Sequence, residues 1–250
     1  MCTVVCRFAP GEQFPVQMLA LRDELATRPF DLPDFWWPEH RDVIGGRDRV
    51  AGGSWCVTSV LDGVTAVVLN RPDKREADPD APSRGVLPLV GAAHGASWTD
   101  YVQTEGMAAF NLVIATPSTL TWWWFDGAEL GTQELGPGTY KFTPRGLADE
   151  MDPRLAVGHA VEAELDGGEV DAVWPQWLDV VRTTVPSADP AGFVVRIPIT
   201  TDDGAANSYE TVFGQFLATQ PGRLRLDYLT EPASGTNREW TTQQIRRPGG

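Results

Sequence analysis

The chain has 250 residues, 42% hydrophobic, with ten tryptophans and a formal net charge of -14 from 34 acidic and 20 basic side chains. That size and apolar content support one large or two small domains, and the acidic field disfavours nucleic acid and anionic lipid surfaces as partners. No apolar run reaches the ~18 residues needed to span a bilayer, and the N-terminus lacks the basic start and apolar stretch of a secretory signal, so a cytoplasmic protein without membrane insertion is expected.

In chain order, Cys2–Phe8 alternates enough to be a strand, and 15–21 reads as its partner across the Pro10-Gly11 turn. Residues 28–53 contain Pro29, Pro33, Pro38 and glycine pairs at 45–46 and 52–53, which predict a loop or irregular edge. The runs 54–60 and 64–69 predict a hairpin around Leu61-Asp62-Gly63. A polar, proline-rich loop covers 71–85, and mixed helical spacing covers 86–102. Strands follow at 110–115 and 121–125, where Trp122-Trp123-Trp124 predicts a bulky strand between two packed layers. A short strand spans 139–143, helical spacing covers 153–165 and 170–184, and 209–218 with 222–229 make a closing hairpin. Strands at both ends and helices between favour an α+β fold with antiparallel sheets. One domain over 1–236 is expected, with 237–250 a disordered tail.

The chemistry concentrates at Cys2. Removal of Met1, which a small second residue permits, would leave a thiol and a free α-amine on one residue. These groups titrate near ~8.5 and ~7.7–8.0, so nucleophile and base suit neutral pH. By position alone Cys2 better suits the start of a buried strand. Three cysteines without a CxxC pair, and three scattered histidines, give no disulfide framework and no metal site. No cofactor is expected, although a single haem ligand would leave no spacing signal. Cys6 shares a strand face with Cys2 and is either core or a disulfide partner.

Several ordered segments carry a resemblance: Met1-Cys2-Thr3, Leu21-Arg22-Asp23-Glu24, Gly45-Gly46-Arg47-Asp48, Gly52-Gly53-Ser54-Trp55, Leu69-Asn70-Arg71, Phe110-Asn111-Leu112 and Gly138-Thr139-Tyr140. Together they resemble the NRDE proteins, the transport and Golgi organisation 2 family. The resemblance implies an N-terminal-nucleophile (Ntn) hydrolase-like four-layer αββα sandwich, two antiparallel sheets between helix layers. Relatives with an N-terminal cysteine cleave amides through a thioester. The resemblance sets Arg22 and Asp23 beside Cys2 and makes Asn70 an oxyanion donor. An arginine near a thiol favours the thiolate, an aspartate orients the amine, and an asparagine N–H at a tetrahedral intermediate contributes roughly 3–4 kcal/mol.

Two departures matter. The family's leading asparagine is Leu21, which strand alternation sends to the face opposite Arg22. A second family asparagine falls in Lys141-Phe142-Thr143-Pro144-Arg145, where Pro144 offers neither side-chain donor nor backbone N–H; Arg145 or Thr143 would have to rebuild that donor. Glu24, Arg47 and Asp48 read as turn-stabilising residues, and Cys56 as core. The expected activity is a hydrolase or acyltransferase on a small acyl amide, with Trp55, Trp37 and Arg145 as substrate-binding candidates and a ring of tryptophans lining an apolar pocket. The alternatives are a non-catalytic haem or lipid/acyl-CoA handling protein, with His94, His159 or a cysteine as haem ligand, and a tailoring enzyme of specialised metabolism.

Overall fold

The structure is a computed structural model that describes residues 2–72, 77–148, 170–201, 204–235 and 239–246. Strands β1 (Cys2–Phe8) and β2 (Val16–Leu25) open the chain, followed by β3 (Phe30–Asp34), β4 (Val43–Asp48), β5 (Cys56–Ser59) and β6 (Val64–Asn70). Helix α1 (Val86–His94) continues into a 3-10 turn at Gly95–Asp100. Then come β7 (Phe110–Ala115), β8 (Leu120–Phe125), β9 (Leu130–Leu135), β10 (Gly138–Thr143) and β11 (Gly146–Leu147). Helix α2 (Val170–Thr183) precedes β12 (Arg196–Thr200), β13 (Ala206–Gln220), β14 (Arg223–Thr230) and β15 (Thr241–Arg246).

These strands make two antiparallel sheets. The first runs β11-β10-β1-β2-β13-β14-β15, with β12 also on β13; the second takes β3 to β9 in sequence order. Alternation along β1 and β2 sorts their side chains to two faces. Val4, Cys6, Met18 and Ala20 meet Cys56, Val67, Leu69 and Val113 of the second sheet. Val5, Leu19 and Leu21 pack instead under Trp174, Trp177 and Val181 of α2. On the outer face of the second sheet, Val57, Ala66, Val68 and Leu112 pack on Leu87, Leu89 and Val90 of α1. The layers are therefore α2, first sheet, second sheet and α1, and the expected α+β sandwich is what forms. Burial on both faces explains why the central strands read as continuous apolar runs.

All three predicted hairpins form, with Gly63 at φ +67° between β5 and β6. The stretch 28–53 is a correction, because it carries β3 and β4. Pro33 is tolerated because β3 is an edge strand. Gly46 is there to admit Trp55: a Cβ on it would come within 2.2 Å of the indole. Polar β9 and proline-containing β12 were not anticipated. Thr241–Arg246, within the expected disordered tail, pairs with β14. The helix expected at 153–165 lies outside the described residues. Among the described residues, no helix is long and apolar enough to cross a membrane.

Candidate active site

In the β1–β2 ladder Cys2 stands directly opposite Arg22. Both belong to the face between the sheets, at the end of the sandwich where a pocket of about 320 Å³ opens. Cys2 is half-buried and packs against the central core. Asp23, Glu24 and Arg28 follow Arg22 along the same wall, and Asp48 of β4 closes it. The opposite wall takes Ser54 and Trp55 from the segment leading into β5, Val68 and Asn70 from β6, and Ser83, Arg84 and Gly85 from the loop before α1. That loop is pinned in place because the Ser54 amide donates to the Gly85 carbonyl at 2.9 Å. Gly53 makes the approach possible, since a Cβ there would meet the Gly85 backbone at 2.4 Å.

Arg22 is 4% exposed, and its charge is held by a designed surround. Its Nη2 donates to Asp48 Oδ2 at 3.0 Å and lies 3.8 Å from Glu24. Its guanidinium carbon sits 4.5 Å over the Trp55 ring and 5.2 Å from the Phe30 centroid. Burial pulls its pKa down; the charges of Glu24, Cys2 and Asp48 oppose that pull. The Nη1 group is buried and has no hydrogen-bond partner among the described residues.

Asp48 is the hub of the network. It accepts from Arg28 Nε at 2.6 Å and Nη2 at 3.1 Å, and from the amides of Val50 and Ala51, each at 2.9 Å. Its burial works against its charge, yet the hydrogen bonds from Arg28, Ala51 and Val50 prevail, so its carboxyl is held below the usual range. The same bond raises the pKa of Arg28.

Asp23 lies beside a β-bulge: β13 shifts register between Thr211, opposite Asp23, and Phe213, opposite Arg22. Thr211 Oγ1 donates to Asp23 Oδ1 at 2.7 Å, and the Tyr209 hydroxyl donates to the Asp23 carbonyl at 2.9 Å. A bulge of this kind re-aims side chains beside a site.

The family model described as Transport and Golgi organisation 2 matches residues 1–168. The chain belongs to the Transport and Golgi organisation 2 family. It is also 30% identical over 156 residues to the Transport and Golgi organization 2 homolog of Mus musculus, a match covering 56% of this chain. The chain spans about half, 55%, of that relative's length.

Of the residues the sequence singled out, Cys2, Arg22, Asp23, Asn70 and Trp55 all line this one pocket. Trp37 does not; it is core, and its indole N–H donates to the Gly52 carbonyl at 3.0 Å. Arg145 is exposed and stands outside the pocket lining. Asn111 is the asparagine at the Thr143-Pro144 corner, but its Nδ2 donates to the Pro144 carbonyl at 3.0 Å and the Thr143 carbonyl at 3.4 Å. It acts as a strut. The tryptophan ring does not form either: Trp55 alone of Trp36, Trp37, Trp55, Trp122, Trp123 and Trp124 lines the pocket.

Sequence reasoning missed Asp48 as the hub, and Arg28, Ser54 and Ser83–Gly85 as lining. Asp48 and Glu24 were read as turn residues, whereas Arg47 does act in the fold, on Asp31 and over Trp36. The proposed Cys2–Cys6 disulfide is excluded by spacing. Residues four apart on a strand stand ~13 Å apart, against an upper limit of about 7 Å for a disulfide. Cys6 is fully buried and its pKa is pushed up to about 12; burial also raises Cys56, whose Sγ accepts from Gln215 at 2.9 Å.

Proposed function

We propose that the protein is a cysteine Ntn hydrolase or acyltransferase of the cytoplasm, acting on a linear amide bond through an acyl-Cys2 intermediate on an Ntn-hydrolase-like frame. The observation that carries this reading is the cross-strand pair Cys2–Arg22 at one pocket, with Asp23 and Asn70 in the same lining. A reducing compartment keeps such a thiol free.

With Met1 removed, the Cys2 sulfur attacks the amide carbonyl, and its proton passes through the α-amine to the leaving nitrogen. The C–N bond breaks, the amine departs and a thioester remains. Water then adds to the thioester, giving up a proton to the α-amine; the C–S bond breaks and the thiol is restored. An amine in place of water makes the second half an acyl transfer. Arg22 supplies positive charge beside the sulfur. Asp23, fixed by Thr211, orients the amine, and the Asn70 side-chain amide donates to the oxyanion.

The carrier reading has less to rest on. His94 is exposed and stacks on Tyr101 at 3.6 Å, His159 lies outside the described residues, and polar groups dominate the lining. The test is turnover of a panel of small acyl amides by wild-type protein and Cys2→Ala. Wild-type turnover lost in a folded Cys2→Ala protein supports the reading; equal turnover by both overturns it.

A further inference from the structure

Resting on the proposed amide chemistry at Cys2, we infer that the substrate is a small, polar, amino-acid-like amide, and that long-chain acyl groups are excluded. The first argument is what the pocket lacks. A methylene gains free energy only by leaving water for an apolar wall, and among the described residues the apolar side chains in the lining are Ala51, Trp55 and Val68. Trp55 offers no open ring: Arg22 covers it at 4.5 Å, and Phe30 and Phe213 pack on it at 5.7 and 5.5 Å. The tryptophans that would build an acyl tunnel are used elsewhere. Trp123 packs on Trp98 at 5.6 Å on the α1 side, Trp122 donates to Asn111 at 3.2 Å, and Trp124 lies where a Cβ on Gly131 would fall, 2.3 Å away.

The second argument is what the pocket contains. Arg22, Arg28 and Arg84 face Asp23, Glu24 and Asp48 in one lining, so the formal charges balance and a strongly charged ligand of one sign has no general advantage. The charges are nevertheless segregated. On the first-sheet side Arg22 and Arg28 are both committed to Asp48, while Asp23 and Glu24 add further negative charge. On the other side stand Arg84, whose Nη1 also donates to the Ala109 carbonyl at 2.9 Å, and Ser83 and Asn70. A dipolar ligand fits this arrangement, with its ammonium toward Glu24 and its carboxylate or carbonyl toward Arg84 and Ser83. The volume, about 320 Å³, is at the small end of the roughly 300–1,000 Å³ of ligand clefts.

The experiment compares kcat/KM for the 4-nitroanilides of glycine, glutamic acid (through its γ-carboxyl), hexanoic acid and decanoic acid. The two amino-acid substrates should exceed the decanoyl substrate by about 100-fold or more. A decanoyl substrate that equals or beats them overturns this inference while leaving the Cys2 chemistry standing. If none is turned over, the enzyme reading fails, and ligand binding to Cys2→Ala protein decides the pocket's class separately. Perturbation of the Trp55 indole resonance by glutamine but not by decanoate supports a polar pocket; the reverse pattern, or no response to glutamine, overturns it.

Discussion

Two buried charge clusters flank the first sheet, and they are built differently. Under α2, Asp227 is completely buried and accepts from the Trp174 indole and the Thr242 hydroxyl, with Arg225 Nε at 3.5 Å. Arg225 in turn covers the Trp174 ring at 4.0 Å. Asp227 itself is closed over, and its bonds tie α2 to β14 and β15. On the other face Arg22 is almost as buried, yet it stands opposite a half-buried thiol and borders an open pocket. A charge whose surroundings close over it holds a fold together. A buried charge that faces a cleft and a thiol is a candidate for a working site.

That contrast can be broken by substitution. The largest effect belongs to Cys2→Ser, which should bring amide turnover close to background at pH 7 with little change in unfolding free energy; urea titration and initial rates check both. Asp227→Ala should cost roughly 3–5 kcal/mol of stability by stranding its donors, while kcat per folded molecule holds, as read by urea unfolding and active-site titration. Asn70→Ala should lower kcat by roughly 10²–10³ at almost no cost in stability, because Asn70 is exposed. A large loss of stability there would make Asn70 a strand-end residue only.

Asp48→Asn sharpens the comparison, because the pocket network also has a structural share. Loss of charged hydrogen bonds predicts about 1.5–3 kcal/mol, together with a fall in kcat as Arg22 loosens. The sign with pH is fixed by the depressed folded pKa of Asp48. Its contribution is fully present above the ordinary value of 3.8 and is lost as pH falls through the lower folded value. The stability gap between wild type and Asp48→Asn should therefore be wide at pH 7 and close in strong acid, as denaturation at stepped pH would read. The smallest effect is Arg145→Ala, expected within about 0.5 kcal/mol and without change in kcat, since the side chain is exposed and away from the pocket.

The hairpins around Gly11 and Gly63 were legible because turn chemistry acts locally, whereas Arg22, Asp23 and Asn70 were singled out by the family resemblance, and the structure gathers them with Cys2 in one pocket lining. Strand alternation also correctly sent Leu21 to the face opposite Arg22. What stayed hidden depends on closure across the chain. Asp48 reaches Arg22 from 26 residues away and Arg28 from 20, distances at which no spacing rule operates. β4 was masked by Gly45 and Gly46, which read as loop but are small because Cys56, Val57 and Trp55 press on them. β15 was masked by its polar edge sequence. The tryptophan run misled about the pocket: neighbouring strand residues point to opposite faces, so three consecutive indoles cannot line one wall.

The central claim, that Cys2 is an acylated nucleophile, is tested most directly by the intact mass of protein quenched in acid during turnover of a small acyl amide. Wild type should appear without Met1 and with one acyl group, mapped to the N-terminal peptide and absent from Cys2→Ala. A chain that retains Met1, or stays unacylated while amide is consumed, would contradict the account.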